Sequence, residues 1–172
     1  MLEPSQPKIL IVRPSALGDV CRTVPVLASL RRAWPEAVVD WVVQEEFAPA
    51  IAAHPALSEA ITFPRTRLAR WWRSPARARE LWQWFGELRR REYDIVLDCQ
   101  GLGRSGLITW ATAAPRRVGL RRAREFAWLG YNVRCQVSGD RCQGKKTNVR
   151  KRVWDWPRDW PGFPPCHLSP VT

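Results

Sequence analysis

The chain is 172 residues long, enough to bury one sizeable core and too short for two α/β domains of ordinary size, so one domain with a tail is expected. Lys and Arg number 28 against 16 Asp and Glu, a formal net charge of +12, and nearly all the cations are arginine, whose planar fork grips phosphate and carboxylate; nucleic acid, an acidic membrane face or a phosphorylated glycolipid would each suit it. The five cysteines form no C-x-x-C pair and no ligand spacing with His54 or His167, Met1 to Lys8 lacks the order of a signal peptide, and no apolar run approaches bilayer-spanning length, which argues against a disulfide scaffold, a metal site and an integral membrane protein and for a cytoplasmic chain with reduced thiols.

Lys8-Ile-Leu-Ile-Val-Arg13 is a short apolar run closed by Pro14, the pattern of a buried parallel strand. After a loop from Pro14 to Gly18, Leu27, Leu30 and Trp34 recur at i, i+3 and i+7 of a helix; Pro25 is tolerated if Thr23 caps its first turn, and Pro35 ends it. Val38 to Val43 reads as a second strand, Glu45 to Ala53 as a short helix and Ala60 to Phe63 as a third strand. Ser74-Pro75, an N-cap followed by proline at the first helical position, opens a helix that buries Leu81, Trp84, Phe85 and Leu88 on one stripe. Asp94 to Asp98 is another buried strand, followed by a glycine-rich turn, a helix near Leu107 to Ala113 and a short strand near Arg117 to Leu120.

Strands alternating with helices from Lys8 to Leu120 imply an α/β fold, a right-handed, Rossmann-like, mostly parallel sheet covered on both faces. Ligands of such sheets bind at the carboxyl ends of the strands, which puts the loops after Arg13, Phe63, Asp98 and Leu120 at the site. Past about Asn132 apolar periodicity stops, basic runs appear at Lys145-Lys146 and Arg150-Lys151-Arg152, and Trp154, Trp156 and Trp160 are spaced by prolines. Residues 1–132 are therefore expected to form the domain and 133–172 an irregular or disordered tail.

The loop Arg13-Pro-Ser-Ala-Leu-Gly-Asp19 joins the first strand to a helix, where backbone N–H groups and the helix dipole favour an anion or a developing negative charge. Asp19 can act there as a general base toward a bound hydroxyl or can cap the helix, and spacing alone favours the cap. Arg65, Arg67, Arg70 and Arg73 crowd the next loop around Trp71 and Trp72. They read either as an anion grip with its rings at a lipid–water boundary or as a solvated basic helix start with two core tryptophans. Gly101-Leu-Gly-Arg-Ser-Gly106 is a literal G-x-G-x-x-G, but it follows the fourth strand, and Arg121-Arg122 stand where an acidic ribose-binding residue belongs; tight packing explains its glycines equally well. Gly139 to Lys145 has phosphate-loop spacing with Lys146 in place of Ser or Thr, and Cys166-His167 lacks further ligands; both are read as chance.

Lys8 to Val20 with Thr23-Val-Pro25, Asp40-Trp-Val-Val-Gln-Glu-Glu-Phe47, Tyr93-Asp-Ile-Val-Leu-Asp-Cys-Gln-Gly101, and Arg122-Ala-Arg-Glu125 through Tyr131-Asn132 resemble the heptosyltransferases of glycosyltransferase family nine, in that family's order and spacing, over roughly residues 8 to 132. The resemblance implies the acceptor-binding half of a two-domain GT-B enzyme. Such an enzyme moves heptose from ADP-heptose onto a Kdo sugar of the lipopolysaccharide inner core, inverting the anomeric centre without a metal or cofactor. It also implies Asp19 as catalytic base, with Ser15, Gly18, Gln100, Gly101 and Arg124 along the acceptor cleft. Arg65, Arg67, Arg70 and Arg73 would then pair with carboxylates or phosphates of a Kdo-lipid A acceptor, in peripheral contact with the cytoplasmic face of the inner membrane.

The family continues into a second, nucleotide-binding domain that nothing before Thr172 resembles, so a truncated form without a donor site is expected, unable to catalyse transfer alone. The family reading gives nucleic acid no role. Its competitors are a nucleic-acid-binding module centred on the Lys145 to Arg152 run and the tail tryptophans, with salt-sensitive affinity, and a nonfunctional truncation product.

Overall fold

The computed structural model describes residues 6–65 and 74–135. Six strands form one sheet: β1 (Lys8–Val12), β2 (Val38–Gln44), β3 (Glu59–Phe63), β4 (Ile95–Asp98), β5 (Arg116–Leu120) and β6 (Val133–Cys135). Their order is β3-β2-β1-β4-β5-β6 and every pair is parallel, so the expected α/β, Rossmann-like architecture is present. Among the described residues, three α-helices connect them: α1 (Leu17–Ala33), α2 (Pro75–Arg90) and α3 (Gly103–Ala111).

The central strand dictates the layering. Successive side chains of a strand point to opposite faces, and Ile9, Leu10, Ile11 and Val12 are all at 0% exposure, so β1 must be covered on both sides. Ile9 and Ile11 join Val39, Trp41 and Leu97 beneath Val20, Leu27 and Leu30 of α1. Leu10 and Val12 join Val42 and Val96 against Leu88 of α2 and Ile108 of α3. Each such side chain contributes roughly 1.5–3 kcal/mol by leaving water. The α2 stripe is as expected: Leu88 is buried, and Leu81, Trp84 and Phe85 pack on the same cluster. Trp84 lies edge-on to Phe63, with ring centroids 5.1 Å apart.

Three local expectations are corrected. Thr23 does not cap α1, which begins at Leu17; Thr23 lies inside the helix, its hydroxyl donates to the Asp19 carbonyl at 2.9 Å, and Pro25 is internal. The stretch after β2 is a 3-10 helix, Glu45–Ala50, with Pro49 inside it, whose ring would clash with the carbonyl four residues back in an α-helix. α3 starts at Gly103, four residues before Leu107: Ser105 Oγ accepts from Leu102 N–H at 3.0 Å and donates to the Leu102 carbonyl at 2.8 Å, closing the first turn.

The glycines that obscured that start have a packing role. A Cβ on Gly106 would fall 2.5 Å from Ala127 Cα, and one on Gly103 would fall 2.7 Å from the Glu125 carbonyl oxygen. The 3-10 turn Ala127–Gly130 thus lies directly against α3. β6 carries the sheet three residues past the expected domain boundary at 132, pairing Val133 to Cys135 with Val118 to Leu120. Residues 136–172, with the expected tail and its basic and tryptophan runs, lie outside the described residues, as do Arg67, Arg70, Trp71, Trp72 and Arg73.

At the amino edge of the sheet, Arg91 grips Glu59 of β3 in a bidentate pair at 2.6 and 2.8 Å. Its Nη1 also lies 3.4 Å from Asp40 of β2, whose carboxylate accepts the Tyr93 hydroxyl at 2.7 Å. Burial pushes the Asp40 carboxyl above the usual range, opposed by the tyrosine hydrogen bond and Arg91. This network joins β2 and β3 to the α2–β4 connection, away from the carboxyl edge.

Candidate active site

From β1 the chain moves outward to β2 and β3; from β4 it moves the other way, to β5 and β6. Connections that diverge in this manner leave a crevice between the carboxyl ends of the two inner strands, the place where parallel sheets bind ligands. Val12 and Asp98 are register partners, so the segments after them, Arg13 to Gly18 and Cys99 to Leu102, form the two banks.

On the first bank, Arg13 is largely buried and its guanidinium faces two ways. Nη1 donates to the Cys99 carbonyl on the opposite bank, and Nη2 lies 2.5 Å from Asp19 Oδ2. The exposed Arg22 approaches Asp19 Oδ1 at 3.5 Å. Asp19 sits in the first turn of α1, its side chain 42% exposed, where the helix dipole favours negative charge. It engages arginines and caps no backbone N–H; the N-cap position belongs to Ala16, without a side-chain bond. A carboxylate fixed on one oxygen by a buried guanidinium and open to solvent can accept a proton from a hydroxyl bound in the crevice. Gly18, one residue before, is exposed, and a Cβ there would meet nothing within 4 Å, so a ligand can approach the backbone closely.

On the second bank, Gln100 reaches across the crevice: its Nε2 donates to Ser15 Oγ at 3.3 Å, while its Oε1 is buried without a partner. Gly101 turns the chain with φ +73°, a conformation that L side chains rarely adopt, and its carbonyl accepts the Arg124 N–H at 2.8 Å. Asp98 builds this turn. Its Oδ1 accepts the N–H groups of Gln100 and Gly101 at 2.8 and 3.0 Å, and its Oδ2 accepts the Tyr131 hydroxyl at 2.5 Å. Burial raises the Asp98 carboxyl above its ordinary value against those hydrogen bonds, and the same desolvation raises Tyr131. Tyr131 can lie there because β5 offers Gly119, where any Cβ would stand inside the tyrosine ring.

Ser15, Gly18, Asp19, Gln100 and Gly101 therefore share one crevice, while Arg124 is exposed just outside the Gly101 turn. Arg65 lies beyond β3, two strand spacings from β1 or about 10 Å. With Gln44, Glu45, Glu46 and Phe63 it lines a cavity of about 140 Å³. Arg13, Asp98 and Tyr131 were read from sequence only as members of loops or family-like blocks, with no role of their own, and Gly119 was not named at all. The available signal was a polar residue ending each of two apolar strands, Arg13 after Val12 and Asp98 after Leu97. Among the described residues no cluster of His, Cys, Asp and Glu could hold a metal ion, and no helix is long and apolar enough to cross a membrane.

A sequence profile of glycosyltransferase family 9 (heptosyltransferase) matches residues 81–158. Lipopolysaccharide heptosyltransferase 1 of Pseudomonas aeruginosa is 39% identical over 124 residues, 67% of this chain and 32% of the relative. The same-named protein of Escherichia coli K12 is 34% identical over 134 residues, 76% of this chain and 42% of the relative. The solved structure of E. coli heptosyltransferase WaaC with ADP-2-deoxy-2-fluoro heptose superimposes with a TM-score of 0.69 at 32% identity, covering 76% of this chain and 42% of that one. The chain thus spans about a third to two-fifths of the length of these relatives.

Proposed function

We propose that this chain, which belongs to glycosyltransferase family 9, provides the acceptor side of a heptosyl transfer from ADP-heptose to a Kdo sugar of Kdo-lipid A, with Asp19 as general base. One observation carries the reading: a half-exposed carboxylate is held by a largely buried arginine at the crevice between β1 and β4. The solved relative in complex with an ADP-heptose analogue supports the donor.

In this mechanism the acceptor hydroxyl lies against Asp19, with its sugar ring bounded by Gly18 and the Ser15–Gln100 pair. Asp19 takes the hydroxyl proton as the oxygen attacks the anomeric carbon from the face opposite the leaving group. The bond from that carbon to the diphosphate oxygen breaks, its electron pair leaves with ADP, and the configuration inverts. Arg65, together with Arg67, Arg70 and Arg73, pairs with the anionic groups of the acceptor, and Arg124 lies at the other rim. Peripheral contact with the cytoplasmic face of the inner membrane would present the lipid-anchored acceptor to this edge.

The test has two parts. Kdo-lipid A in detergent micelles is expected to bind the full chain, and Arg65→Glu to weaken it about tenfold, the loss of one charge-assisted contact. Transfer is read in a chimera that joins residues 8–135 to the remainder of the E. coli K12 relative. There Asp19→Asn is expected to reduce turnover about 10²–10⁴-fold with acceptor affinity retained. Undiminished turnover would remove Asp19 from the chemistry, and undiminished binding would remove Arg65 from the acceptor site.

A further inference from the structure

Exposed large hydrophobic side chains are concentrated on one surface. Of the eight among the described residues, five are Leu107 and Trp110 of α3 and Phe126, Trp128 and Leu129 of the segment that follows β5. Trp110, Leu129 and Phe126 are 60, 64 and 73% exposed. Gly106 brings them together: its backbone rests on Ala127 and Gly130, so the outer flank of α3 and the 3-10 turn form one continuous face. The turn is held in place. Glu125 and Phe126 adopt φ values of +54° and +60°, uncommon for residues with side chains, while the Gly103 N–H donates to the Glu125 carboxylate at 3.1 Å and the Arg124 N–H to the Gly101 carbonyl. The constrained backbone keeps Phe126 in water, and exposure of this extent marks an interaction surface.

The same face is cationic. α3 and residues 121–130 carry four arginines, Arg104, Arg121, Arg122 and Arg124, against a single acid, Glu125, a net charge of +3. Arg104, Arg121, Arg124 and Arg134 are exposed, and the Arg134 guanidinium lies 5.1 Å from the centre of the Trp128 ring. Aromatic and aliphatic side chains surrounded by arginines match a surface with phosphates above an apolar layer. A second copy of the chain would set this cationic face against itself. Nucleic acid would leave Leu107 and Leu129 without a counterpart.

We infer that α3 and the Arg121–Gly130 segment form a docking face for an anionic phospholipid bilayer. The segment leaves the carboxyl end of β5 and α3 begins just after the carboxyl end of β4, so docking here holds the Asp19 edge at the lipid surface. The inference rests on the peripheral membrane contact of the acceptor reading and deepens it by naming the face that makes that contact.

The experiment is flotation of the full chain with phosphatidylcholine vesicles, with and without phosphatidylglycerol and free of Kdo-lipid A. The chain is expected to float with the anionic vesicles. A variant carrying Trp110→Ser, Phe126→Ser and Leu129→Ser is expected to lose bound fraction about tenfold. These side chains are exposed, so the melting temperature should hold; if it falls, the single changes Phe126→Ser and Leu129→Ser replace the triple variant. Equal flotation on neutral vesicles, no flotation at all, or flotation unchanged in the variants would overturn the proposal. So would a sedimentation change from dimer to monomer in the same variants, which would assign the face to a second copy. Because the vesicles contain no acceptor, failure here leaves the heptosyl-transfer reading untouched.

Discussion

Arg13 and Asp19 meet across the first turn of α1, Nη2 to Oδ2 at 2.5 Å, while the same guanidinium donates to the carbonyl of Cys99 at the end of the neighbouring strand. One buried side chain therefore fixes the candidate base and ties the two banks of the crevice together. Its Nε is buried without a partner, so the arginine is held from its Nη atoms alone.

Arg13→Met should leave the Cys99 carbonyl and the Asp19 carboxylate without their shared donor. The expected cost is about 1–3 kcal/mol in urea unfolding. Arg13→Lys should recover part of it, since a single ammonium keeps the charge and cannot reproduce the two-way fork. Equal stability of Arg13→Met and the parent chain would show that the link carries no energy.

Gly119, Tyr131 and Asp98 act as a unit. Tyr131→Phe strips the buried Asp98 Oδ2 of its donor, at an expected cost of about 1–3 kcal/mol. Gly119→Ala pushes the ring away as well and should cost at least as much, because the new Cβ occupies the ring's place. The two changes should be far from additive: once Gly119→Ala has displaced the ring, removing its hydroxyl should add little. Additive losses in the double mutant would contradict this geometry.

Thiol reactivity should sort by burial. The Cys99 thiol is pushed up to about 12 by burial and the nearby Asp98 carboxylate, and burial also raises Cys135, whereas Cys21 is exposed. Brief alkylation of the native chain near neutral pH, followed by peptide mapping, should modify Cys21 and spare Cys99 and Cys135. Rapid modification of Cys99 would mean that the second bank opens in solution.

The pH response should carry the signature of Glu59. The Arg91 hydrogen bonds hold its carboxyl below the ordinary value of 4.5. As pH falls past that value the unfolded chain protonates first, so this contribution to stability is lost as pH falls through the lower folded value. Asp40, raised by burial, works in the opposite sense, its contribution declining as pH rises above 3.8. Glu59→Gln should therefore flatten the acid limb of a urea-midpoint profile. The effect should stay below about 1 kcal/mol, since Glu59 is mostly exposed to water. An unchanged acid limb would show that the pair contributes nothing.

β1, β2 and β4 were legible because burial on both faces leaves largely apolar runs, as in Lys8 to Val12 and Ile95 to Asp98, while the shorter, half-exposed β3 and β5 were legible from the alternation of strands with helices. β6 was not, since Val-Arg-Cys has neither length nor period; it exists because the β5 edge offers it hydrogen bonds, continued where Arg121 N–H donates to the Cys135 carbonyl at 2.9 Å. The start of α3 was hidden by Gly103 and Gly106, poor helix formers whose purpose is the backbone approach to the 125–130 segment. In the crevice, Asp19, Ser15, Gly18, Gln100 and Gly101 were named by the resemblance of sequence blocks to a family; local pattern showed only that they sit at strand ends or helix starts.

By itself, then, the sequence determined an apolar central strand that had to be covered twice, the alternation of strands and helices around it, and a Gly-Asp pair at the mouth of the first turn. Only tertiary structure decided that Arg13 would meet Cys99, 86 residues away, and that Tyr131 would cross Gly119 to reach Asp98, 33 residues back. The physical reason is range. Periodicity and capping record forces between residues a few positions apart, whereas these contacts exist only once two separate strands lie side by side and burial makes an unpaired polar group too costly to leave alone.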